Sequence, residues 1–178
     1  MNKKELQDKA KDILTNAGLT SPPIDIEELA SFYGFKIFEQ ELDDCSGRLV
    51  VDEKKPLLIN GNTYPRVIVV NKSDKVERQV FTVAHELAHF FLEYKDDGEL
   101  YARRELKDKT KLQEEDRKKE RDANILATQL LMPRHLIEPF VKQRENDSVP
   151  YIVNAIADKF FVSITAAKIR YSEYLEGY

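Results

Sequence analysis

The sequence predicts an α+β fold, with helices and a small sheet in its first half and helices alone in its second. Short β-branched or alternating segments, such as Phe35–Phe38 and Val67–Val70, lie before residue 75. From about residue 118 onwards, apolar residues recur at the three- and four-residue spacing of amphipathic helices. Strands grouped before a run of helices are typical of an α+β architecture rather than of alternating α/β units.

Length and composition indicate an ordinary globular protein. The chain has 178 residues, 42% of them hydrophobic and 34% charged, with a net charge of −4. We expect a single domain over 1–178, with a core at about 1–133 and a helical subdomain at about 134–178. Cys45 is the only cysteine, so no intrachain disulfide can form, which favours a reducing, cytoplasmic location. Neither a signal peptide nor a membrane span is expected, and the acidic charge does not indicate direct DNA binding.

Several elements are predicted before the central helix. Residues 2–17 form an amphipathic helix that Gly18 ends, and Asp25 opens a short helix that Gly34 ends. Strands are expected at 35–38, 48–51, 57–59 and 67–70, and Asn60-Gly61 follows the third as a turn.

The second half is predicted to be helical apart from one charged stretch. Asp74 opens a long helix that ends near Lys95, and its apolar surface indicates burial in a core. Residues 99–119 are dominated by charge and are interpreted as a loop or a solvated helix. Further helices are expected from Lys118 to about 132, at 134–143, from Ser148 onwards, and after Ser163.

The central helix carries the motif His85-Glu86-Leu87-Ala88-His89 on its narrow polar stripe. Residues four apart lie one turn above each other, so both imidazoles can face one metal ion. Glu86 lies beside them, where a carboxylate can accept a proton from water, as hydrolytic zinc sites require. The alternative to a metal site is that His85 and His89 are buried histidines whose ring nitrogens are satisfied by hydrogen bonds. The motif therefore predicts a catalytic zinc site, although the same ligands also suit manganese or iron.

A catalytic zinc ion needs a third protein ligand, and carboxylates after residue 114 are the candidates. Glu120 is favoured because Asn124 shares its helix face and can accept a hydrogen bond from the outer ring N–H of His85 or His89. Spacing alone separates Glu120 only narrowly from three neighbours, which are Glu115, Asp116 and Asp122.

Three stretches together resemble the ImmA/IrrE family of metallopeptidases. They are the segment from Phe81 to His89, the segment from Glu120 to Asn124, and Leu130–Pro133. The Ser46-Gly47 strand, residues 24–30 and residues 156–163 also resemble the family, so the likeness extends over essentially the whole chain. Two departures, Asp122 in place of glutamate and Leu126 in place of an aromatic residue, do not touch the predicted ligands.

The resemblance implies a zincin-like metallopeptidase with a small twisted sheet, a central motif helix and a helical C-terminal half. In such a protein Glu120 would be the third zinc ligand and Glu86 the catalytic base. The resemblance also implies a narrow substrate, a helix-turn-helix transcriptional repressor that is cut in mobile-element, phage or stress-response control.

Oxyanion stabilisation and substrate binding are less constrained by the sequence. Tyr94, Tyr101, Arg134 and His135 are candidate donors to an oxyanion. The strand Arg48–Asp52 is a candidate sheet edge, to which an extended substrate would add.

The C-terminal segment supports an alternative function. Residues 152–171 have the rhythm of a helix-turn-helix, and the second helix carries Lys168 and Arg170. A repressor-binding or DNA-binding regulator that keeps the fold but has little turnover is therefore the second hypothesis.

Overall fold

A computed structural model describes residues 1–43, 45–93, 101–104 and 114–177, and gives the backbone alone for 93, 101–104 and 115. The helices are α1 (Lys3–Asn16), α2 (Ile26–Phe32), α3 (Val76–Glu93), α4 (Glu114–Leu131), α5 (Arg134–Lys142), α6 (Val149–Phe160) and α7 (Ile164–Leu175). The strands are β1 (Lys36–Gln40), β2 (Gly47–Val51), β3 (Leu57–Ile59), β4 (Asn62–Tyr64), β5 (Arg66–Asn71) and β6 (Tyr101–Arg104). The predicted α+β class is confirmed.

The main sheet has the strand order β1-β5-β2-β6. β1 and β5 are parallel, whereas β2 is antiparallel to both of its neighbours. β5 lies in the interior of the sheet, which explains its unbroken β-branched sequence. β3 and β4 form a separate hairpin around Asn60 and Gly61, whose φ angles of 50° and 81° fit the turn expected there.

The prediction that β2 is a free edge is wrong. β6 pairs with β2 in antiparallel register from Arg48 opposite Arg104 to Val51 opposite Tyr101. Residues 101–104 lie in the stretch that we interpreted as a loop or a helix, and their charged sequence lacks the alternation that marks a strand. α4 also begins at Glu114, earlier than the expected start near Lys118. The strand β4 was not predicted either.

Helix ends agree closely with their sequence signals. The Asn2 side chain accepts from the backbone N–H of Glu5, and Glu5 in turn accepts from the N–H of Asn2. Asp25 accepts from the N–H groups of Glu27 and Glu28 at the start of α2. These contacts satisfy N–H groups that have no partner within the helix.

α3 packs against the sheet on one side and α4 on another. Their contact buries small and branched residues along both helices: Val83, Ala84, Leu87 and Ala88 of α3, and Ala123, Leu126, Ala127 and Leu130 of α4. The same hydrophobic cluster continues into α6 and α7. No described helix combines the length and hydropathy that a membrane span requires.

Arg170 connects α7 to the end of α4. Its side chain is 1% exposed, and its guanidinium donates to the carbonyl of Met132, to Gln129 Oε1 and to Glu173 Oε2. Since each of these contacts satisfies a group in or near the interior, Arg170 fixes the position of α7 beside α4.

Candidate metal centre

α3 places the three motif residues in the interior, where His85, Glu86 and His89 are at most 3% exposed. The two imidazole rings meet edge to face with their centroids 4.6 Å apart, and their Nε2 atoms are separated by 3.0 Å. Phe81, one turn earlier, stacks beside the His85 ring at 6.3 Å. The helical spacing therefore brings both Nε2 atoms to one point, as the sequence predicts.

α4 brings the Glu120 carboxylate to the same point. Glu120 Oε2 lies 3.4 Å from His85 Nε2, and Oε1 lies 3.1 Å from His89 Nε2. Ligand atoms of these three residues lie within 4.8 Å of one another and form a group that could hold a metal ion. The side chain of Glu120 is 16% exposed, so the group opens to solvent on the α4 side.

The spacing fits a zinc ion. Ligand atoms about 2.0–2.1 Å from a tetrahedral ion lie roughly 3.3 Å from each other. The two Nε2 atoms are 3.0 Å apart, and the two oxygens of Glu120 lie 3.4 Å and 3.1 Å from His85 and His89, which is close to that value. Three protein ligands also leave one position for water or substrate, as in catalytic rather than structural zinc sites.

The surroundings keep Glu120 ionised. Burial by itself raises the pKa of Glu120, but hydrogen bonds and positive charge from His85 and His89 outweigh that effect and hold the pKa well below its usual range. An ionised carboxylate is the form that can bind a metal ion.

The start of β2 passes unusually close to Glu86. A Cβ placed on Gly47 would lie 2.3 Å from Thr82 Cγ2 and 3.4 Å from Glu86 Oε1. Thr82 is fully buried, and its hydroxyl donates to the Arg78 carbonyl. Only glycine therefore allows the β2 backbone to lie this close to Thr82 of α3, next to Glu86. The sequence drew attention to Ser46-Gly47 but did not reveal this contact.

Asn71, which the sequence analysis did not identify, holds the loop that precedes β2. Its buried side-chain amide donates to the carbonyls of Leu42 and Cys45, and its backbone N–H donates to the Ser46 carbonyl. Ser46 Oγ also contacts the guanidinium of Arg78 on α3 at 3.1 Å. An asparagine that ends a β-branched run was the available signal, but its partners lie 26 and 29 residues away.

The structure separates Glu120 from its alternatives. The Asp122 carboxylate instead lies 3.3 Å from the amino group of Met1, which precedes α1. Asp116 is not part of the described metal-binding group, and the side chain of Glu115 lies outside the described atoms. Cys45 is buried but also does not belong to that group among the described residues.

Asn124 lies one turn beyond Glu120 and lines the cavity beside it. The buried Nδ1 atom of His85 has no hydrogen-bond partner among the described residues, so the bond predicted from His85 to Asn124 is not formed in this structure. Whether Asn124 orients His89 stays a prediction.

The candidate oxyanion donors are not assembled at the metal centre. Tyr94 lies outside the described residues, and Tyr101 is described only as backbone of β6. His135 lies in the first turn of α5, after the C-terminal end of α4. Burial and the charge of Lys11 lower its pKa. Arg134 donates to the Gly177 carbonyl. Arg134 and His135, both on α5, are therefore not brought to the metal-binding group.

A cavity of about 720 Å³ adjoins the centre between α3, α4 and α7. Its walls include Phe81 of α3, Glu120 and Ile125 of α4, and Ala166 and Ile169 of α7. Its size is within the range of about 300–1,000 Å³ that is usual for ligand-binding pockets. Glu120 belongs to both the cavity lining and the metal-binding group, so the cavity adjoins the candidate metal centre.

Comparisons with known proteins identify the family of this chain. The profile of the IrrE N-terminal-like domain, peptidase family M78, matches residues 28–172. Among solved structures, a Mycobacterium tuberculosis transcriptional regulator is similar in fold, with a TM-score of 0.52 and 18% identity over 92% of this chain. The match spans only 45% of that regulator, and no curated protein matches significantly. The predicted resemblance is thus confirmed, and this chain belongs to the M78 peptidase family of IrrE N-terminal-like domains.

Proposed function

We propose that this protein is a zinc-dependent endopeptidase in which His85, His89 and Glu120 hold the metal ion. The observation that carries the proposal is the convergence of three buried or half-buried ligand groups at zinc-like spacing, with a second acidic side chain, the buried Glu86, next to His85 on the same helix. Membership of a peptidase family supports the same chemistry.

Glu86 is proposed as the general base and then the general acid. When bound, zinc would polarise the peptide carbonyl and lower the pKa of water toward neutrality. Glu86 accepts a proton as the water oxygen bonds to the carbonyl carbon, and it returns that proton to the amide nitrogen as the carbon–nitrogen bond breaks. The products are a carboxylate and an amine. Burial of Glu86 beside Gly47 limits the positions that its carboxylate can take.

The proposed substrate is a helix-turn-helix transcriptional repressor, cut at one site to relieve repression. This substrate class comes from the family resemblance. The similarity in fold to a protein described as a transcriptional regulator is compatible with such a role.

Metal analysis and cleavage assays test the two parts of the proposal separately. We expect about one zinc ion per chain in the wild type and in Glu86→Gln, and loss of zinc in His89→Ala and Glu120→Gln. Incubation with a repressor encoded next to this gene should give one cleavage product with the wild type and none with Glu86→Gln. Zinc retention without cleavage of any repressor would refute the endopeptidase and favour a binding role.

The alternative is a regulator that binds a repressor or DNA with little turnover. α6 and α7 do form two helices joined by a three-residue turn at 161–163, as the sequence indicates. However, Arg170 is buried at 1% exposure, so of the two basic residues predicted for DNA only Lys168 is exposed. Salt-dependent DNA binding that Lys168→Glu abolishes would favour this alternative.

A further inference from the structure

The cavity between α3, α4 and α7 offers more space than hydrolysis of one bond requires. A water molecule occupies roughly 30 Å³ in the liquid, whereas the cavity holds about 720 Å³. Its lining includes Glu120 of α4 and also Ile169 and Glu173 of α7. The remaining space is available to the side chains that flank the bond being cut.

Another surface beside the metal centre is already occupied. In the described backbone, β6 pairs with β2 from Arg48 to Val51, so an extended substrate cannot add there without displacing β6. β6, and not β2, is therefore the outermost described strand on this side of the sheet, and the cavity is the described pocket that shares a residue with the metal-binding group.

The walls of the cavity are largely apolar. Phe81 and Ile125 are half-buried, and Ile169 is 58% exposed although it lines a concave surface. A large apolar side chain that entered the cavity would remove these surfaces from water, which is the main source of favourable binding energy in such pockets.

The rim of the cavity is positively charged even though the whole chain carries a net charge of −4. Four basic side chains line it, and all are exposed: Lys75, Arg78, Arg117 and Arg121. Of the three acidic residues in the lining, Glu120 faces the histidines, and Glu173 pairs with Lys3 and Arg170. Glu77 is the third acidic residue of the lining, so basic side chains outnumber acidic ones by four to three. Such a rim favours an acidic ligand.

We infer that this cavity is a specificity groove for the substrate polypeptide, which binds a large apolar side chain near the cleaved bond and favours an acidic residue close to it. This inference rests on the proposed peptidase function, because the groove is identified by Glu120, which it shares with the metal centre. The groove selects the sequence around the cut, and the metal centre cuts it.

Peptide selection tests the groove without any need for cleavage. Zinc-loaded Glu86→Gln protein is used to select from a random dodecapeptide library displayed on phage. We expect the selected peptides to carry Leu, Ile, Phe or Met with Asp or Glu within a few positions. A selected peptide is then labelled, and its Kd is measured by fluorescence anisotropy for groove variants in the Glu86→Gln background.

Two pairs of variants separate the groove from the rest of the surface. Ile169→Asp should raise the Kd at least about tenfold. Ile164→Asp is the matched control, because Ile164 is 59% exposed on the same helix but does not line the cavity. Arg121→Glu should weaken binding more at low salt than at high salt. Its control is Lys118→Glu, since Lys118 is exposed on α4 outside the cavity.

The outcomes distinguish the groove from the catalytic proposal. Absence of any apolar–acidic preference, or an equal effect of Ile164→Asp and Ile169→Asp, would overturn the groove. If the wild type binds the selected peptides through Ile169 but cuts none of them or any repressor, the groove stands and the peptidase fails. If the Ile169→Asp variant cuts the substrate as well as the wild type does, the peptidase stands and the groove fails.

Discussion

Replacing Gly47 by alanine should impair catalysis while leaving the metal ligands in place. The new methyl group would lie 2.3 Å from Thr82 Cγ2, whereas ordinary van der Waals contact begins at 3.4 Å. β2 or Thr82 must therefore move by about 1 Å, a displacement that can reduce the rate about 100-fold when it reaches a catalytic group. The same methyl group would touch Glu86 Oε1 at 3.4 Å, so the proposed base lies within reach of the displacement.

Thr82 cannot easily turn away from the added methyl group. Its side chain is fully buried, its hydroxyl is bonded to the Arg78 carbonyl, and β-branched residues are stiff in helices. We therefore expect Gly47→Ala to lower kcat/KM by about 100-fold. Overpacking should also lower the free energy of unfolding by about 1–3 kcal/mol. The zinc content should stay at the wild-type value because His85, His89 and Glu120 are not contacted.

A second substitution makes this reasoning testable. Thr82→Ser removes Cγ2 but keeps the hydroxyl that bonds Arg78, so the double variant Gly47→Ala/Thr82→Ser should recover most of the lost kcat/KM. Thr82→Ser alone is the control and should differ little from the wild type. Cleavage kinetics on the wild-type substrate and metal analysis are the measurements. Full activity in Gly47→Ala, or no recovery in the double variant, would show that this contact does not position Glu86.

Three further predictions concern metal binding, packing and pH. Zinc at about 1,000 times its Kd should raise the Tm by roughly 10 °C, and the His89→Ala variant should show no shift in a thermal melt. Arg170→Met should lower the free energy of unfolding in urea by about 3 kcal/mol, because Gln129 loses a buried partner, whereas the exposed-site control Lys168→Met should change it by less than about 0.5 kcal/mol. The pKa of His135 is lowered in the folded protein, so the unfolded chain binds more protons and stability falls as the pH drops below about 6.5. His135→Gln should reduce that fall in urea melts between pH 7 and 5, and an unchanged pH dependence would contradict it.

Local signals in the sequence were sufficient to predict most of the helix ends and the interior strand β5. Asp25 and Ser163 cap helices through their own side chains, and Gly18 and Gly34 follow helix ends with positive φ angles. These contacts join residues a few positions apart, so their chemistry is visible in a short window. The β-branched run of β5 is equally local, because burial on both faces of a strand requires apolar residues throughout.

Strand pairing was not visible in the same way. β6 lies about 50 residues after β2 in the sequence, and its residues Tyr-Ala-Arg-Arg show neither alternation nor β-branching. Its position depends on hydrogen bonds from the β2 backbone, which any sequence can accept. The prediction of a free edge at β2 failed because a strand is an edge only if no other segment pairs with it. Whether another segment does so depends on the whole chain.

The metal ligands show where local and non-local information meet. His85 and His89 were predictable because one helix turn relates them, whereas Glu120 comes from a second helix among several carboxylates. Successive residues of a helix are rotated by about 100°, so Glu120 and Asp122 point about 200° apart. Once α4 packs its apolar face against α3, only one of the two can face the histidines, and Asp122 instead meets Met1. The packing of α4 therefore selects the third ligand, and a substitution that rotated α4 would remove Glu120 from the centre without changing any ligand residue.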